Sequence, residues 1–378
     1  MVAAHSKSAH WDIFCKVVDN FGDAGVCWRL ARILQREHGL QVRLWIDDLT
    51  PLQALCPGVA DHAQVQLVEN VEVRRWDGGT FIPDGAAVVI EAFGCGLSDA
   101  QVAQMAARAH PPLWIVLEYL SAEAWVDEHH GLASPHPRLA LKRWFFFPGF
   151  TARSGGLLRE TDLPARRAAF GPAQRQEFWR SHGYTDAASP ALQLSLFAYA
   201  DAPVVEWLTV LAQGAQPIVV AVPGPSLLPA VQAVCGTTLQ RGALEVRLLP
   251  FLPQAQYDEL LWACDINLVR GEDSFVRAQW AARPLVWQPY RQDDGAHLRK
   301  LDAFLGRYGA GLSPATAAAT AAFCRVWNGD GGDMAVAWEK LRVAAPDLAV
   351  HARHWADQLA AFRDLASQLV EFAHDRVE

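Results

Sequence analysis

Ile266-Asn267-Leu268-Val269-Arg270-Gly271-Glu272-Asp273-Ser274-Phe275 is the stretch on which the reading of the fold turns. The apolar run Ile266–Val269 reads as a buried strand, and Phe275–Ala282 reads as the first turns of a helix. A strand that passes through a glycine, acidic residues and a hydroxyl into a helix is the joint of an α/β unit. Such a joint leaves backbone N–H groups at the positive end of a helix dipole. That is a place to hold a phosphate. Arg270 adds a fixed positive charge, and a carboxylate in the same loop can grip a sugar hydroxyl. The loop reads equally well as a capped helix, with Asp273 or Ser274 at the N-cap and Arg270 in a surface ion pair.

Working outward, short apolar runs alternate with amphipathic stretches on both sides of this loop. Before it, Leu192–Tyr199, Pro217–Val222 and Val246–Leu249 read as strands. Pro203–Ala212, Leu228–Val234 and Tyr257–Cys264 read as helices between them, and Pro284–Gln288 follows as another strand. In the front half, Trp11–Val18, Gln41–Ile46, Ala86–Ala92 and Leu113–Tyr119 read as strands. Helices are expected at Ala24–Glu37, Ser98–Arg108 and Ser121–Glu128, and Trp144–Phe150 is a last strand or edge segment. This is the alternation of a parallel sheet covered on both faces. It occurs twice. Thr151–Arg167 carries Gly, Arg, Pro and Thr with little periodicity and reads as a linker, with a short helix after it at Gln174–His182. From Ala296 onward the chain reads as mostly helical, ending in the Ala/Leu-rich stretch His354–Val377. The expected organisation is a first Rossmann-like domain from residues 1–155 plus 355–378, a linker at 156–185, and a second Rossmann-like domain at 186–354. Ligands of open parallel sheets bind beyond the strand ends, so a cleft between the halves is the expected site.

The 378 residues are 51% apolar and 20% charged, with a formal net charge of −8. This is the composition of a globular protein with a large core, and two domains suit the length. No basic run is present, which argues against nucleic-acid binding. No stretch has the apolar length to span a membrane. The polar segment Met1–His10 lacks an apolar signal core, so a cytoplasmic location is expected. Seven cysteines are scattered without a CxxC pair. They read as reduced thiols, several of them in apolar runs. Most of the 15 tryptophans are expected in the core.

The first strand runs into Val18-Asp19-Asn20-Phe21-Gly22-Asp23-Ala24-Gly25. Asp19 and Asp23 stand four apart in a glycine-containing turn at the C-terminal edge of a sheet, where sites are found. They read either as a cap and a turn-former, or as a carboxylate pair that orients a nucleophile, deprotonates it, or binds a cationic acceptor. In the second half, Phe197, Tyr199, Phe251 and Tyr257, with Gln254 and Gln256 between the last two, suit a stacked pyrimidine base. Taken singly, each aromatic reads as core. Gly94-Cys95-Gly96 falls short of a dinucleotide fingerprint, because Asp99 stands where its third glycine belongs; it reads as a tight turn. Glu91 reads as a strand-end cap. His351, His354 and Asp357 read as a solvated helix face rather than a metal site, and Asp330-Gly331-Gly332-Asp333 as a turn or helix start. His129-His130 reads as a polar loop and Asp293-Asp294 as capping. No Asp-x-Asp element and no Walker loop is present, so no metal site is expected.

Val17 to Leu30, with Arg270 to Trp280 and Trp287 to Tyr290, resembles the bacterial protein-arginine rhamnosyltransferases of the EarP type, from Trp11 to the last helix. These modify one arginine of translation elongation factor P. The resemblance implies an α/β GT-B fold of two facing Rossmann-like domains with a helical tail. It also implies metal-independent, inverting transfer from TDP-β-L-rhamnose with no further cofactor. Carried over by position, Asp19 and Asp23 resemble the essential carboxylates of the acceptor side, with Asp23 the expected general base and Asn20 and Phe21 between them in the acceptor turn. Glu272 resembles the essential acid of the donor side. Arg270, Gly271, Asp273 and Ser274 would contact the diphosphate. Phe197, Tyr199, Phe251, Gln254, Tyr257 and Tyr290 would contact the rest of the donor. The sequence departs from the family at Tyr257, where Phe is expected, at Ala282, where Gly is expected, and at Pro289-Tyr290-Arg291, where Ile-Tyr-Pro is expected.

Two other readings compete. A sugar-nucleotide epimerase or a small-molecule GT-B transferase would share the donor loop without needing Asp19 and Asp23 for a guanidinium. A non-catalytic nucleotide-sugar-binding protein would keep Phe197, Phe251 and Arg270 and tolerate loss of Asp23.

Overall fold

The computed structural model describes residues 10–79, 85–184, 191–292 and 294–377. The N-terminal segment read above as polar lies outside them except for His10, as does Asp293. The chain divides into two compact units, Met1–Thr161 with Ala360–Glu378, and Asp162–Leu359.

Unit 1 is built on β1 (His10–Cys15), β2 (Val42–Ile46), β3 (Val65–Val68), β4 (Val71–Arg75), β5 (Ala86–Ala92), β6 (Leu113–Leu117), β7 (Ala133–Pro135) and β8 (Lys142–Phe146), with helices α1 (Phe21–His38), α2 (Leu49–Leu55), α3 (Asp99–Ala106) and α4 (Val126–His129). The sheet order is β3-β4-β2-β1-β5-β6-β8-β7. The six inner strands are parallel, and β3 and β7 close the two edges antiparallel. Numbered along the chain, the parallel strands run 3-2-1-4-5-6, the Rossmann order, whose direction reverses between β1 and β5. Ile13 of β1 pairs with Leu44 on one side and Ile90 on the other, and all three are buried. Strands covered on both faces read as continuous apolar runs, which is why these were visible in the sequence. β3, β4 and β7 were not expected, because these short segments, charged in β4 and interrupted by polar residues or proline in β3 and β7, lack that run. The segment Trp144–Phe150 overlaps β8, the last strand of the unit in chain order, and is not an edge, since β7 lies outside β8. The helix expected over Ser121–Glu128 is reduced to Val126–His129, because the Ser121 hydroxyl accepts from Glu123 N at 3.1 Å and holds a turn instead.

Unit 2 begins with α5 (Leu163–Ala169) and α6 (Pro172–Ser181), so the segment read as a linker carries two helices. The first was hidden by its arginines, Arg166 and Arg167. Its sheet contains β9 (Leu192–Leu196), β10 (Ile218–Pro223), β11 (Gln240–Arg241), β12 (Leu244–Leu249), β13 (Ile266–Arg270) and β14 (Leu285–Gln288), with α7 (Val204–Gln213), α8 (Leu228–Cys235), α9 (Gln254–Ala263) and α10 (Asp273–Ala281) between strands. The order is β11-β12-β10-β9-β13-β14. Its parallel strands run 3-2-1-4-5 along the chain, with the reversal between β9 and β13. Then come α11 (Ala296–Gly309), α12 (Pro314–Trp327) and α13 (Met334–Ala360). They wrap an aromatic core in which Trp207 meets Trp327 and Trp338 edge-on at 5.4 and 5.6 Å. His351 of α13 is buried against the Tyr308 ring at 4.7 Å. It therefore does not belong to a solvated face, because α13 turns that side to α11.

The tail is broken after Ala360, and α14 (Leu365–His374) starts anew with Asp364 accepting from Ser367 N at 3.0 Å. It returns to unit 1, where Phe372 lies edge-on to Trp144 and Phe146. A β-carbon on Gly156 (φ +70°) would stand 2.4 Å from Arg363 O, so only glycine admits this crossing.

Candidate active site

The sheets reverse direction at two places, and each of the loops singled out above follows a strand at one of them. In unit 1, β1 ends at Cys15 and the chain turns through Asn20, at φ +32°, into α1. Asp23, in the first turn of α1, does not cap that helix. Its Oδ2 reaches back and accepts from the backbone N–H of Val18 and of Asp19, both at 2.8 Å. A third donor is the hydroxyl of Tyr119. Asp23 is 1% exposed. Burial raises its pKa above the ordinary carboxylate value, the three hydrogen bonds oppose that, and the nearby Asp47 carboxylate adds to it. Asp19 fixes the turn with its backbone, its carbonyl accepting from Gly22 N at 2.6 Å. Its carboxylate lies so close that a β-carbon on Gly22 would sit 2.4 Å from Oδ2. Asp47, after β2, holds the start of the loop by accepting from Val17 N at 2.8 Å. Asn20 is exposed and Phe21 half-buried on the same turn. The unit thus gathers two buried carboxylates in one short turn, which is what a cationic acceptor needs.

Glu91 at the end of β5 is a structural cap. Its two oxygens accept from Gly96 N at 2.9 Å and Trp114 Nε1 at 3.0 Å. Gly94 and Gly96 both take positive φ in the expected tight turn.

In unit 2, β13 ends at Arg270, Gly271 takes φ +61°, and α10 opens at Asp273. The expected capping by Asp273 or Ser274 is not what is found. Glu272 holds the N-cap position without a side-chain capping bond. Asp273 and Ser274 are the first two helical residues. The Ser274 hydroxyl turns back to the carbonyl of Arg270 and accepts from Arg270 N at 3.2 Å, while the Asp273 carboxylate accepts from Gln254 Nε2 at 3.2 Å. The Arg270 guanidinium lies over the rings of Phe197 and Tyr199, 4.5 and 4.2 Å from their centroids. Stacking on two rings orients the cation. Phe197 meets Tyr257 edge-on at 5.7 Å, and Tyr199 meets Tyr290 at the same distance. Tyr257 is buried, which pushes its hydroxyl pKa up. Phe251 packs against Gly224, whose added β-carbon would meet its ring at 3.3 Å. The donor-side residues expected from sequence therefore fall at or just beyond the C-terminal ends of β9, β12, β13 and β14, on the loops there or in the first turns of α9 and α10.

Several supporting residues were not seen in the sequence. Trp287 Nε1 donates to Gly271 O at 2.8 Å, and its ring stacks on Phe275 at 3.9 Å. Gln288 accepts from Tyr199 N at 2.9 Å and donates to Asp201 at 3.0 Å. Between α10 and α9, Arg277 and Asp258 form a buried two-point ion pair at 2.7 and 2.6 Å. Of these, Trp287, Gln288 and Arg277 lay in the stretches that carry the resemblance, whereas nothing in the sequence pointed to Asp258 or Asp201. Among the described residues, no three or more His, Cys, Asp or Glu side chains group as a metal site.

The family model described as Elongation-Factor P (EF-P) rhamnosyltransferase EarP matches residues 11–374. The chain belongs to the EarP family. It is therefore a glycosyltransferase enzyme. It is similar to the protein-arginine rhamnosyltransferase of Pseudomonas putida, with 48% identity over 96% of this chain and 98% of that one. A solved structure described as the basis for EarP-mediated arginine glycosylation of translation elongation factor EF-P covers 98% of this chain and 100% of its own. It matches at 37% identity with a TM-score of 0.68. A UDP-glucosyltransferase from Polygonum tinctorium shares the fold alone, at 9% identity over 99% of both chains and a TM-score of 0.54. The EarP chain thus has the GT-B fold: two units dominated by parallel sheets, with a helical tail.

Proposed function

We propose that this EarP-family enzyme moves L-rhamnose from TDP-β-L-rhamnose to one arginine side chain of translation elongation factor P, with inversion at the sugar carbon. A translation factor as acceptor puts the reaction in the cytoplasm. A guanidinium is protonated below about pH 12 and its lone pairs are delocalised, so it is a poor nucleophile. The carboxylates of Asp19 and Asp23, with Asn20 and Phe21 on the same turn, bind it and concentrate its charge. Asp23 takes the proton as the new C–N bond forms. The electron pair of the breaking C–O bond leaves with the TDP phosphate. Arg270, Gly271 and the N–H groups of Asp273 and Ser274 at the dipole end of α10 stabilise that charge. Glu272 faces the donor as the acidic residue of this loop. The aromatic residues Phe197, Tyr199, Phe251, Tyr257 and Tyr290, with Gln254, hold the nucleotide and sugar.

The observation that carries the reading is the buried Asp23 carboxylate, which is held by two backbone N–H groups at the reversal point of a sheet. A cap would have turned to its own helix. Burial that raises its pKa makes it a better proton acceptor. The test is mass spectrometry of elongation factor P incubated with the enzyme and TDP-rhamnose. A gain of one deoxyhexose on a single arginine is expected. Asp23→Asn is expected to lose turnover while calorimetry shows TDP binding retained. An unmodified acceptor with the intact enzyme would reject the reaction, and normal turnover by Asp23→Asn would reject the base.

A further inference from the structure

We propose that Tyr119 is a positioning residue for the Asp23 carboxylate, and that Phe93, stacked on its ring, holds it in place. This rests on the reading of Asp23 as the proton acceptor. Three observations carry it. First, the Tyr119 hydroxyl reaches the Asp23 carboxylate, although 96 positions separate the two residues and β6 lies two places from β1 in the sheet. Second, the ring of Phe93 stacks on that of Tyr119 at 4.4 Å and 15°. Third, Phe93 takes φ +58°, a conformation that an aromatic residue adopts only where its surroundings impose it. Its N–H donates to Leu117 O at 2.7 Å, tying the end of β5 to the end of β6 two residues before Tyr119. A strained residue and an aromatic pair, both half-buried at the reversal point of the sheet, thus converge on one hydroxyl.

The chemistry gives this hydroxyl a task. The ionisable side chains that bear on Asp23 are Asp47 after β2, the Cys15 thiol, itself hydrogen-bonded to the Cys27 thiol, and Tyr119, while Asp19 reaches it through its backbone N–H. The Asp47 carboxylate opposes ionisation of Asp23. Two backbone donors favour it, and no side-chain substitution can remove them. Tyr119 is the side-chain donor that favours the ionised form, so it keeps a buried base deprotonated and aimed.

Tyr119→Phe keeps the ring and its stack and removes only the hydroxyl. Single-turnover transfer to elongation factor P is measured against pH with saturating TDP-rhamnose. The acid limb of the rate profile is expected to move upward by roughly half to one pH unit, with KM for TDP-rhamnose and thermal stability unchanged. A purely structural role would scale the rate equally at every pH. An unshifted profile, or uniform scaling, overturns the proposal. Phe93→Gly releases the backbone and removes the stack, and is expected to lower the rate several-fold with TDP affinity unchanged. A wild-type rate would remove Phe93 from the device. Asp23→Asn is assayed alongside. If it is inactive while Tyr119→Phe is unshifted, only the role of Tyr119 fails. If it is active, the base assignment fails, and this proposal with it.

Discussion

Replacing Gly22 by Ala isolates the placement of one carboxylate from everything else in the fold. Gly22 is the second residue of α1, at an ordinary helical φ, so alanine is sterically legal for the backbone and, if anything, favoured there. The added carbon would, however, stand 2.4 Å from Asp19 Oδ2 and 3.1 Å from its carboxyl carbon. Real contacts stay beyond 3.0 Å, so the carboxylate must retreat by at least 0.6 Å. A misplacement of about 1 Å at a reacting group costs about 100-fold in rate. The expected loss is therefore about 10- to 100-fold, or about 1.4–2.7 kcal/mol of transition-state stabilisation. The helix gains up to about 1 kcal/mol from replacing glycine, which offsets the local push, so Tm is expected to stay within about 3 °C. The assay is initial-rate transfer to elongation factor P, read by intact-protein mass spectrometry, with thermal unfolding of the same preparations. The decisive comparison is a double-mutant cycle with Asp19→Ala. If alanine at 22 acts by displacing Asp19, its cost vanishes once the carboxylate is gone. Wild-type turnover in Gly22→Ala, or an undiminished cost in the Asp19→Ala background, would refute the reasoning.

Four further outcomes are expected. Arg270→Ala removes the cation stacked on Phe197 and Tyr199, and should weaken TDP binding by about tenfold or more in calorimetry; an unchanged Kd would remove Arg270 from the diphosphate site. Asp258→Ala removes the two-point carboxylate partner of the buried Arg277 guanidinium and should cost about 3–5 kcal/mol in urea unfolding, lowering the midpoint at constant m. Ala282 closes α10 in the left-handed conformation at φ +54°, so Ala282→Gly should stabilise the protein by about 0.5–1 kcal/mol with turnover unchanged. Burial raises the Asp23 pKa in the folded state. Asp23 therefore favours folding below its unfolded pKa and loses that contribution as pH rises through the folded value, whereas the reaction needs it ionised. Activity should fall with decreasing pH through that same raised value, and a rate indifferent to pH across the carboxylate range would contradict this.

Much of the fold was legible because the central strands are covered on both faces and so carry an uninterrupted apolar run. Val42–Ile46 and Ile218–Pro223 are buried at every position. The two loops were legible for a related reason: Gly22 and Gly271, with their acidic neighbours, mark strand-to-helix joints by composition alone. The edge strands Val65–Val68 and Ala133–Pro135 carry little burial, so nothing in their side chains announced pairing. The helix Leu163–Ala169 was masked by its arginines. The roles inside the loops were legible only in part. Asp23 and Ser274 looked like caps, and both turn backward instead, because the residues before each helix present groups that need partners.

Local chemistry written along the chain determined the alternation of strands and helices, its repetition in two halves, and the character of the two turns, because hydrophobic period and turn residues act over a few neighbours. Strand order was settled only by tertiary structure. Placing β5 beside β1, with β6 next, brings Phe93 and Tyr119 to the turn that holds Asp23, and placing β13 beside β9 lays Arg270 on Phe197 and Tyr199. These partners lie about 70 to 100 residues apart. No local pattern encodes such a meeting, since it follows from which apolar edges pair when the whole sheet is buried.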